Sequence, residues 1–162
     1  MKKYIFIVVL VIPLIIFSEC KKTDEGEALA EQEFLPEIEV DQEQISGDLG
    51  LNFRILKTGS VGSSLVHKFF WVALSDMPSQ EDLRLLADSI IKSVIAKKPR
   101  VYHSFTIHFF LEKDIQDGNL EGKRFAYANF LPEGSWLKVG RVPVDDYKDY
   151  RLLVTMIERY KH

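Results

Sequence analysis

Four side chains of the types that bind metals lie close together in the second half of the chain: His103, His108, Glu112 and Asp114. Imidazole and carboxylate groups are the usual protein ligands of Zn²⁺. However, residues 101–112 alternate in the manner of a β-strand, and side chains an odd number of positions apart point to opposite faces of a strand. His103 and His108 therefore cannot converge on one ion unless the strand contains a bulge, and the spacing predicts ordinary strand histidines with no metal or other cofactor.

The segment 58–64, TGSVGSS, has the small residues of a phosphate-binding loop. Such a loop requires Gly-Lys-Ser/Thr at the start of a helix. Here Gly62 is followed by Ser63 and Ser64 and then by an apolar run. Glycine's backbone freedom is sufficient for a hairpin turn, so a turn is predicted.

Catalytic signatures are equally weak. Ser135 lies in Pro-Glu-Gly-Ser-Trp rather than in G-x-S-x-G. The acidic pairs Asp114 with Asp117 and Asp145 with Asp146 are residue types that loops and helix N-caps commonly use. No catalytic residue is predicted, and an envelope enzyme of hydrolase type, using dispersed polar residues, is the alternative to a binding domain.

Cys20 is the only cysteine, and it follows an apolar run. Lys2 and Lys3 precede residues 4–17, which carry no charge. This layout is typical of a secretory signal, and the run is shorter than the about 20 residues that a membrane-spanning helix needs. An uncleaved signal anchor is the alternative.

Residues 17–20, Phe-Ser-Glu-Cys, resemble the end of a bacterial lipoprotein signal peptide. The lipobox is irregular, because Phe17 replaces the usual Leu and Glu19 replaces Gly, Ala or Ser. The resemblance covers only the first twenty residues. It implies that residues 1–19 are a signal peptide and that Cys20 is lipidated with fatty acids of the palmitate type. It also implies a cell-envelope protein, at the outer membrane or the periplasmic face of the inner membrane.

Charge divides the rest of the chain into two parts. Residues 21–50 contain ten acids and two bases, a net charge of −8, whereas residues 51–162 contain seventeen bases and thirteen acids, a net charge of +4. A strongly acidic, weakly apolar segment cannot bury enough surface to fold alone. We therefore predict that residues 20–50 are the lipidated cysteine and a flexible tether, and that residues 51–162 form one domain. In the alternative, Phe34 and Ile38 dock onto the basic domain.

Hydrophobic periodicity predicts five strands and two helices in this domain. The clearest element is a helix over residues 79–98, with Ser79 as N-cap, an apolar stripe and Pro99 beyond its end. A closing helix is predicted to begin at Asp145 or Asp146. The strands are predicted at residues 51–57, 65–74, 101–112, 124–131 and 136–142. This order predicts an α+β fold, with an antiparallel or mixed sheet of about five strands and two helices packed on one face.

The predicted strands carry more aromatic residues than two helices can cover. Exposed apolar patches tend to mark interfaces, and basic residues lie near these aromatics in the sequence. The candidate interaction surface comprises Lys68, Phe70, Phe110, Arg124, Tyr127, Trp136, Lys138 and Arg141. We expect a membrane-anchored binding module whose partner is an envelope protein or a polyanion, and not a nucleic acid, because the predicted location is extracytoplasmic.

Overall fold

The computed structural model describes residues 40–115, 118–144 and 147–160. The chain divides into two compact units, residues 1–31 and 32–162, and all described residues belong to the second. The predicted signal peptide, Cys20 and most of the predicted tether lie outside the described residues. Within the described ranges, no helix has both the length and the apolar character needed to cross a bilayer.

The domain is built on a five-stranded mixed sheet whose strands lie side by side in chain order. The strands are β1 (Phe53–Val61), β2 (His67–Leu74), β3 (Ser104–Leu111), β4 (Ala126–Pro132) and β5 (Tyr150–Met156). β2 and β3 are parallel, and the other neighbouring pairs are antiparallel. Together with helices α1 (Gln42–Leu49) and α2 (Gln80–Lys97), this sheet confirms the predicted α+β fold.

Helix α2 connects the two parallel strands, as a parallel pair requires. It begins with a capping box in which Ser79 Oγ accepts from the Asp82 N–H at 3.1 Å and Asp82 Oδ2 accepts from the Ser79 N–H at 3.1 Å. Its buried stripe consists of Leu83, Leu86, Ala87, Ile90, Ile91 and Val94. The predicted helix over residues 79–98 is confirmed.

Helix α1 lies inside the segment for which a flexible tether was predicted. Asp41 caps its start by accepting from the Gln44 N–H at 3.0 Å, and Gly50 ends it with a φ of 65°. Ile45 and Val40 are each 7% exposed and belong to the main core. The folded part therefore begins by Val40, because two well-placed apolar residues and two caps outweigh the average acidity of the segment.

The turn of the first hairpin is shorter than predicted. β1 continues through Val61, so most of the segment predicted as a turn is strand. Gly59 pairs with Phe69, and a Cβ at this glycine would lie 2.3 Å from Phe69 Cζ. Gly62, with a φ of 93°, is the glycine that serves the turn.

The predicted strand over residues 136–142 is wrong. Trp136–Lys138 is a short 3₁₀ helix, and the Ser135 hydroxyl caps it by accepting from the Leu137 N–H at 3.3 Å. The chain then continues through a turn at Gly140, where φ is 77°. The Pro-Glu-Gly-Ser sequence therefore initiates a capped turn instead of a second hairpin strand.

The predicted closing helix is wrong as well, because residues 150–156 form β5. Tyr150, Leu152, Val154 and Met156 face the core, while the residues between them are exposed. This alternation has the strand period of two. Tyr150 and Val154 also fit a helical spacing of four, which explains the incorrect prediction. Two other short 3₁₀ helices are Glu112–Asp114 and Glu158–Tyr160.

The main core lies between the sheet and the two helices. Residues of α1 and α2 pack in one cluster with alternate residues of β2 and β3, among them Phe70, Val72, Phe105, Ile107 and Phe109. Tyr147 Oη donates to the Tyr102 carbonyl at 3.0 Å and Tyr150 Oη donates to the His103 carbonyl at 3.1 Å, so these phenols tie β5 and the loop before it to the start of β3. The helices thus cover one face of the sheet.

Candidate functional site

The other face of the sheet, which we call the open face, carries a row of cross-strand neighbours that runs through all five strands. The row consists of Lys57, Trp71, His108, Tyr127 and Thr155. Directly opposite side chains on neighbouring strands lie close enough to interact. The strand register therefore assembles a cation, two aromatic rings and an imidazole into one continuous surface.

Aromatic contacts extend this row along β2. The centroids of the Phe69 and Trp71 rings lie 4.6 Å apart in an edge-to-face arrangement, and the Trp71 ring lies 5.7 Å from that of His108. His67 lies 5.2 Å from Trp136, which is 51% exposed. Side chains at alternate positions of β2 thus form an apolar surface that neither helix covers.

Arg124 is the principal charged group of the open face. Its guanidinium carbon lies 4.9 Å from the centre of the Tyr127 ring, and its Nη1 lies 2.9 Å from His108 Nδ1. No carboxylate of the described residues lies within ion-pair distance of Arg124. The aromatic ring and the imidazole therefore hold the guanidinium in place without neutralising it.

His108 is held in its neutral form. Burial, the nearby Arg124 charge and His67 together lower its pKa to about 4. Arginine has only donors, so Nδ1 of His108 must be the acceptor of the bond from Arg124. The neutral ring then carries its proton on Nε2, which is a donor.

His67 makes a second polar contact on this face, with its Nδ1 2.8 Å from the hydroxyl of Ser104. Burial lowers the pKa of His67, and a hydrogen bond with Ser104 partly opposes that effect. A hydroxyl beside an imidazole is the arrangement of an activated nucleophile. Ser104 is only 1% exposed, however, so this hydroxyl orients the ring and does not face a substrate.

Two further cations border the surface. Lys57 Nζ lies 5.2 Å from the centre of the Trp71 ring. Arg159 stacks on Tyr160 and donates to the Gly122 carbonyl. In the part of the chain that the structure describes, neither cation has a carboxylate within 4.0 Å.

These side chains line two adjoining shallow cavities, which we call together the open-face groove. One cavity, of about 490 Å³, extends toward Trp136, and the other, of about 610 Å³, extends toward Leu120. Trp71, His108 and Arg124 line both. Each volume lies within the range of small-molecule sites, about 300–1,000 Å³.

Polar groups lie beside the aromatic ones in the groove. Thr106 Oγ1 donates to Asn129 Oδ1 at 2.8 Å, which leaves the two amide protons of Asn129 without a partner among the described residues. Glu121 lines the second cavity together with Arg159. The groove therefore offers donors, an acceptor and a net positive charge around an aromatic centre.

The structure brings together four of the eight residues of the candidate interaction surface. Arg124, Tyr127 and Trp136 line the groove, and Phe110, 3% exposed, lies beneath the second cavity.

Lys68 and Phe70 do not belong to this surface. They lie on the helix-covered face and are 2% and 0% exposed. The Lys68 ammonium lies 3.4 Å from the Thr58 hydroxyl and 5.4 Å from the centre of the Phe70 ring. Both faces of β2 are apolar, so the sequence did not reveal which set of alternate residues the helices cover.

Lys138 and Arg141 lie outside the groove lining. Lys138 pairs with Glu133 at 3.5 Å, and Arg141 is exposed. By contrast, the prediction omitted His67, Phe69, Trp71 and His108. The signal for three of them was their spacing of two along β2, which puts His67, Phe69 and Trp71 on one face and Phe69 opposite Gly59. His108 lies beside Trp71 on β3.

The residues weighed as metal ligands are dispersed. His103 Nδ1 accepts from the Val66 N–H at 3.1 Å, and Glu112 lies 3.6 Å from Arg54. Within residues 40–115, 118–144 and 147–160, no three side chains of metal-ligand type are grouped to hold an ion. Of the acidic pairs, Asp114 ends the 3₁₀ helix Glu112–Asp114, whereas Asp117, Asp145 and Asp146 lie outside the described residues.

Comparison with known proteins identifies no relative: no protein-family model matches the chain, and neither a curated protein nor a solved structure is significantly similar to it.

Proposed function

We propose that this chain is an exported lipoprotein, anchored to a membrane through Cys20, whose folded domain binds a component of the cell envelope in the open-face groove. The observation that carries the binding role is the geometry at Arg124, a guanidinium that no carboxylate of the described residues neutralises, fixed between Tyr127 and His108. The resemblance of residues 1–20 to a lipoprotein signal supports the anchor.

A binding role also accounts for the aromatic surface. Apolar area left in water costs about 25 cal/mol per Å², so a groove lined by Phe69, Trp71 and Trp136 is stabilised when a ligand covers it. Aromatic residues and arginine are also the types enriched in binding surfaces. The alternative, an envelope hydrolase, has no comparable support, since the hydroxyl that contacts an imidazole among the described residues is the buried Ser104.

The anchor is tested by growing cells that express the full-length chain with a labelled fatty acid. Acyl chains on Cys20 insert into the bilayer at about 0.8 kcal/mol per buried CH₂, so lipidation gives stable membrane attachment. We expect label on the wild-type protein and none on Cys20→Ala at equal expression. Equal labelling of the two proteins would refute the anchor.

The binding role is tested by photo-crosslinking in cells. A benzophenone side chain replaces either Tyr127 in the groove or Leu85, which is 41% exposed on α2 at the opposite side of the sheet. We expect an adduct, identified by mass spectrometry, at position 127 and not at position 85. Equal adducts at both positions, or none at 127, would contradict binding in the groove.

A further inference from the structure

The chemistry of the open-face groove also indicates what class of ligand it takes. We propose that it binds an anionic sugar, in which a carboxylate or phosphate contacts Arg124 and the sugar ring packs against Trp71. This inference rests on the proposed binding role but not on the lipid anchor.

Charge is the first argument. Arg124 and Arg159 line the groove, and Lys57 lies beside the Trp71 ring at its border; among the described residues, Glu121 is the acid in the lining. Arginine's planar guanidinium matches the geometry of carboxylate and phosphate groups. Stacking on Tyr127 and the bond to His108 restrain the Arg124 side chain before a ligand arrives, so less side-chain entropy is lost on binding.

The mixture of aromatic and polar groups is the second argument. A sugar ring presents C–H groups that pack on aromatic side chains, and hydroxyls that need both donors and acceptors. Asn129 offers amide donors in one cavity and Glu121 offers an acceptor in the other, and Trp71 lines both. A purely aromatic anion would leave these polar groups without partners, which costs binding free energy.

Neutral His108 is the third argument. Its Nδ1 accepts from Arg124, so its Nε2–H remains a donor, which suits a hydroxyl or an anionic oxygen. The charge of Arg124 thus remains available to the ligand.

The chain provides its own reporters for a test, because both of its tryptophans, Trp71 and Trp136, line the same cavity. Full-length protein labelled with 5-fluorotryptophan gives one ¹⁹F resonance for each, and Trp136→Phe assigns them. The probes are glucose 6-phosphate, glucuronate, glucose, inorganic phosphate and phenyl phosphate. Comparison of these probes distinguishes the contributions of a sugar ring, an anionic group and an aromatic ring to binding.

We expect glucose 6-phosphate or glucuronate to shift the Trp71 resonance saturably. Glucose, which lacks the charge-assisted contact with Arg124, and inorganic phosphate, which lacks the ring that packs on Trp71, should each bind at least about tenfold more weakly. Arg124→Gln should reduce the affinity for the anionic sugar by about tenfold and leave that for glucose unchanged. Arg141→Gln removes an exposed arginine outside the groove and should change neither the affinity for the anionic sugar nor the affinity for glucose. An unchanged circular dichroism spectrum and a single cooperative urea transition of each variant show that the fold is intact.

Three results would overturn the inference: glucose or inorganic phosphate binding as tightly as the anionic sugars, phenyl phosphate binding more tightly than they do, or no shift with any probe. If the crosslink at position 127 persists while the sugars fail, only the sugar class is refuted. If the crosslink fails as well, the binding role itself is refuted.

Discussion

Single side chains in the groove depend on one another, and His108 shows this most clearly. Its neutral ring accepts from Arg124, so protonation would replace a hydrogen bond with repulsion between two cations. The pKa of about 4 follows from burial first and from the charge of Arg124 second. The same contact therefore orients the arginine and makes the domain sensitive to acid.

This coupling predicts a pH dependence of stability. Because the folded pKa lies below the ordinary value of 6.5, the unfolded chain binds more protons between these values, and stability falls as the pH drops from about 6.5 to about 4. The ring is partly exposed, so screening reduces the effect to about 1 kcal/mol. Urea unfolding of the wild type and of His108→Gln, at pH 7 and pH 4.5, should show a smaller loss in the variant. An NMR titration in which His108 protonates near pH 6.5 would disprove the argument.

The groove residues were only partly predictable. Arg124, Tyr127 and Trp136 were identified because aromatic and basic residues on strands exceeded what two helices can cover. His67 and His108 were not identified as groove residues, since their role depends on contacts with Trp136 and Arg124, which lie far from them in the sequence. Local patterns cannot specify such pairs.

Among the elements, the predictions held where independent local signals coincided. Helix α2 has a capping box, an apolar stripe and a following proline, and its bounds were predicted closely. For β5, residues 150–156 fit both a helical and a strand spacing, and only the position beside β4 decides between them. Tertiary pairing therefore determined the element that the sequence left ambiguous.

The pairing of β1 with β2 depends on the close approach of the Phe69 ring to the backbone at Gly59. An added Cβ would lie 2.3 Å from Phe69 Cζ, so Gly59→Ala should displace the ring from Trp71 and destabilise the fold by about 1–3 kcal/mol. Thermal or urea unfolding measures this cost. The combination with Phe69→Ala should recover part of it, because the clash is then absent.

Gly47→Ala is the matched control, since nothing lies within 4 Å of the Cβ that it adds. In helix α1 this change should be neutral or stabilising by up to about 1 kcal/mol. A Gly59→Ala variant as stable as Gly47→Ala would show that the ring does not need the glycine.

For the whole molecule, the central question is where the acidic segment ends and the folded domain begins. Val40 and Ile45 join the main core together with residues of α2 and the sheet. A helix that contributes to the core should unfold with it. The domain is therefore longer at its N-terminal side than charge patterning alone predicted.

Ile45→Ala in the full-length chain tests this boundary. Removing a buried isoleucine side chain costs about 2–4 kcal/mol when its neighbours cannot close the cavity. We expect the urea midpoint of the whole domain to fall in a single transition, because α1 and the sheet share one core. Gln44→Ala changes an exposed neighbour on the same helix and should have little effect. If the two variants have the same urea midpoint, α1 does not contribute to the stability of the core, and the stable domain begins near β1, as the charge pattern suggested.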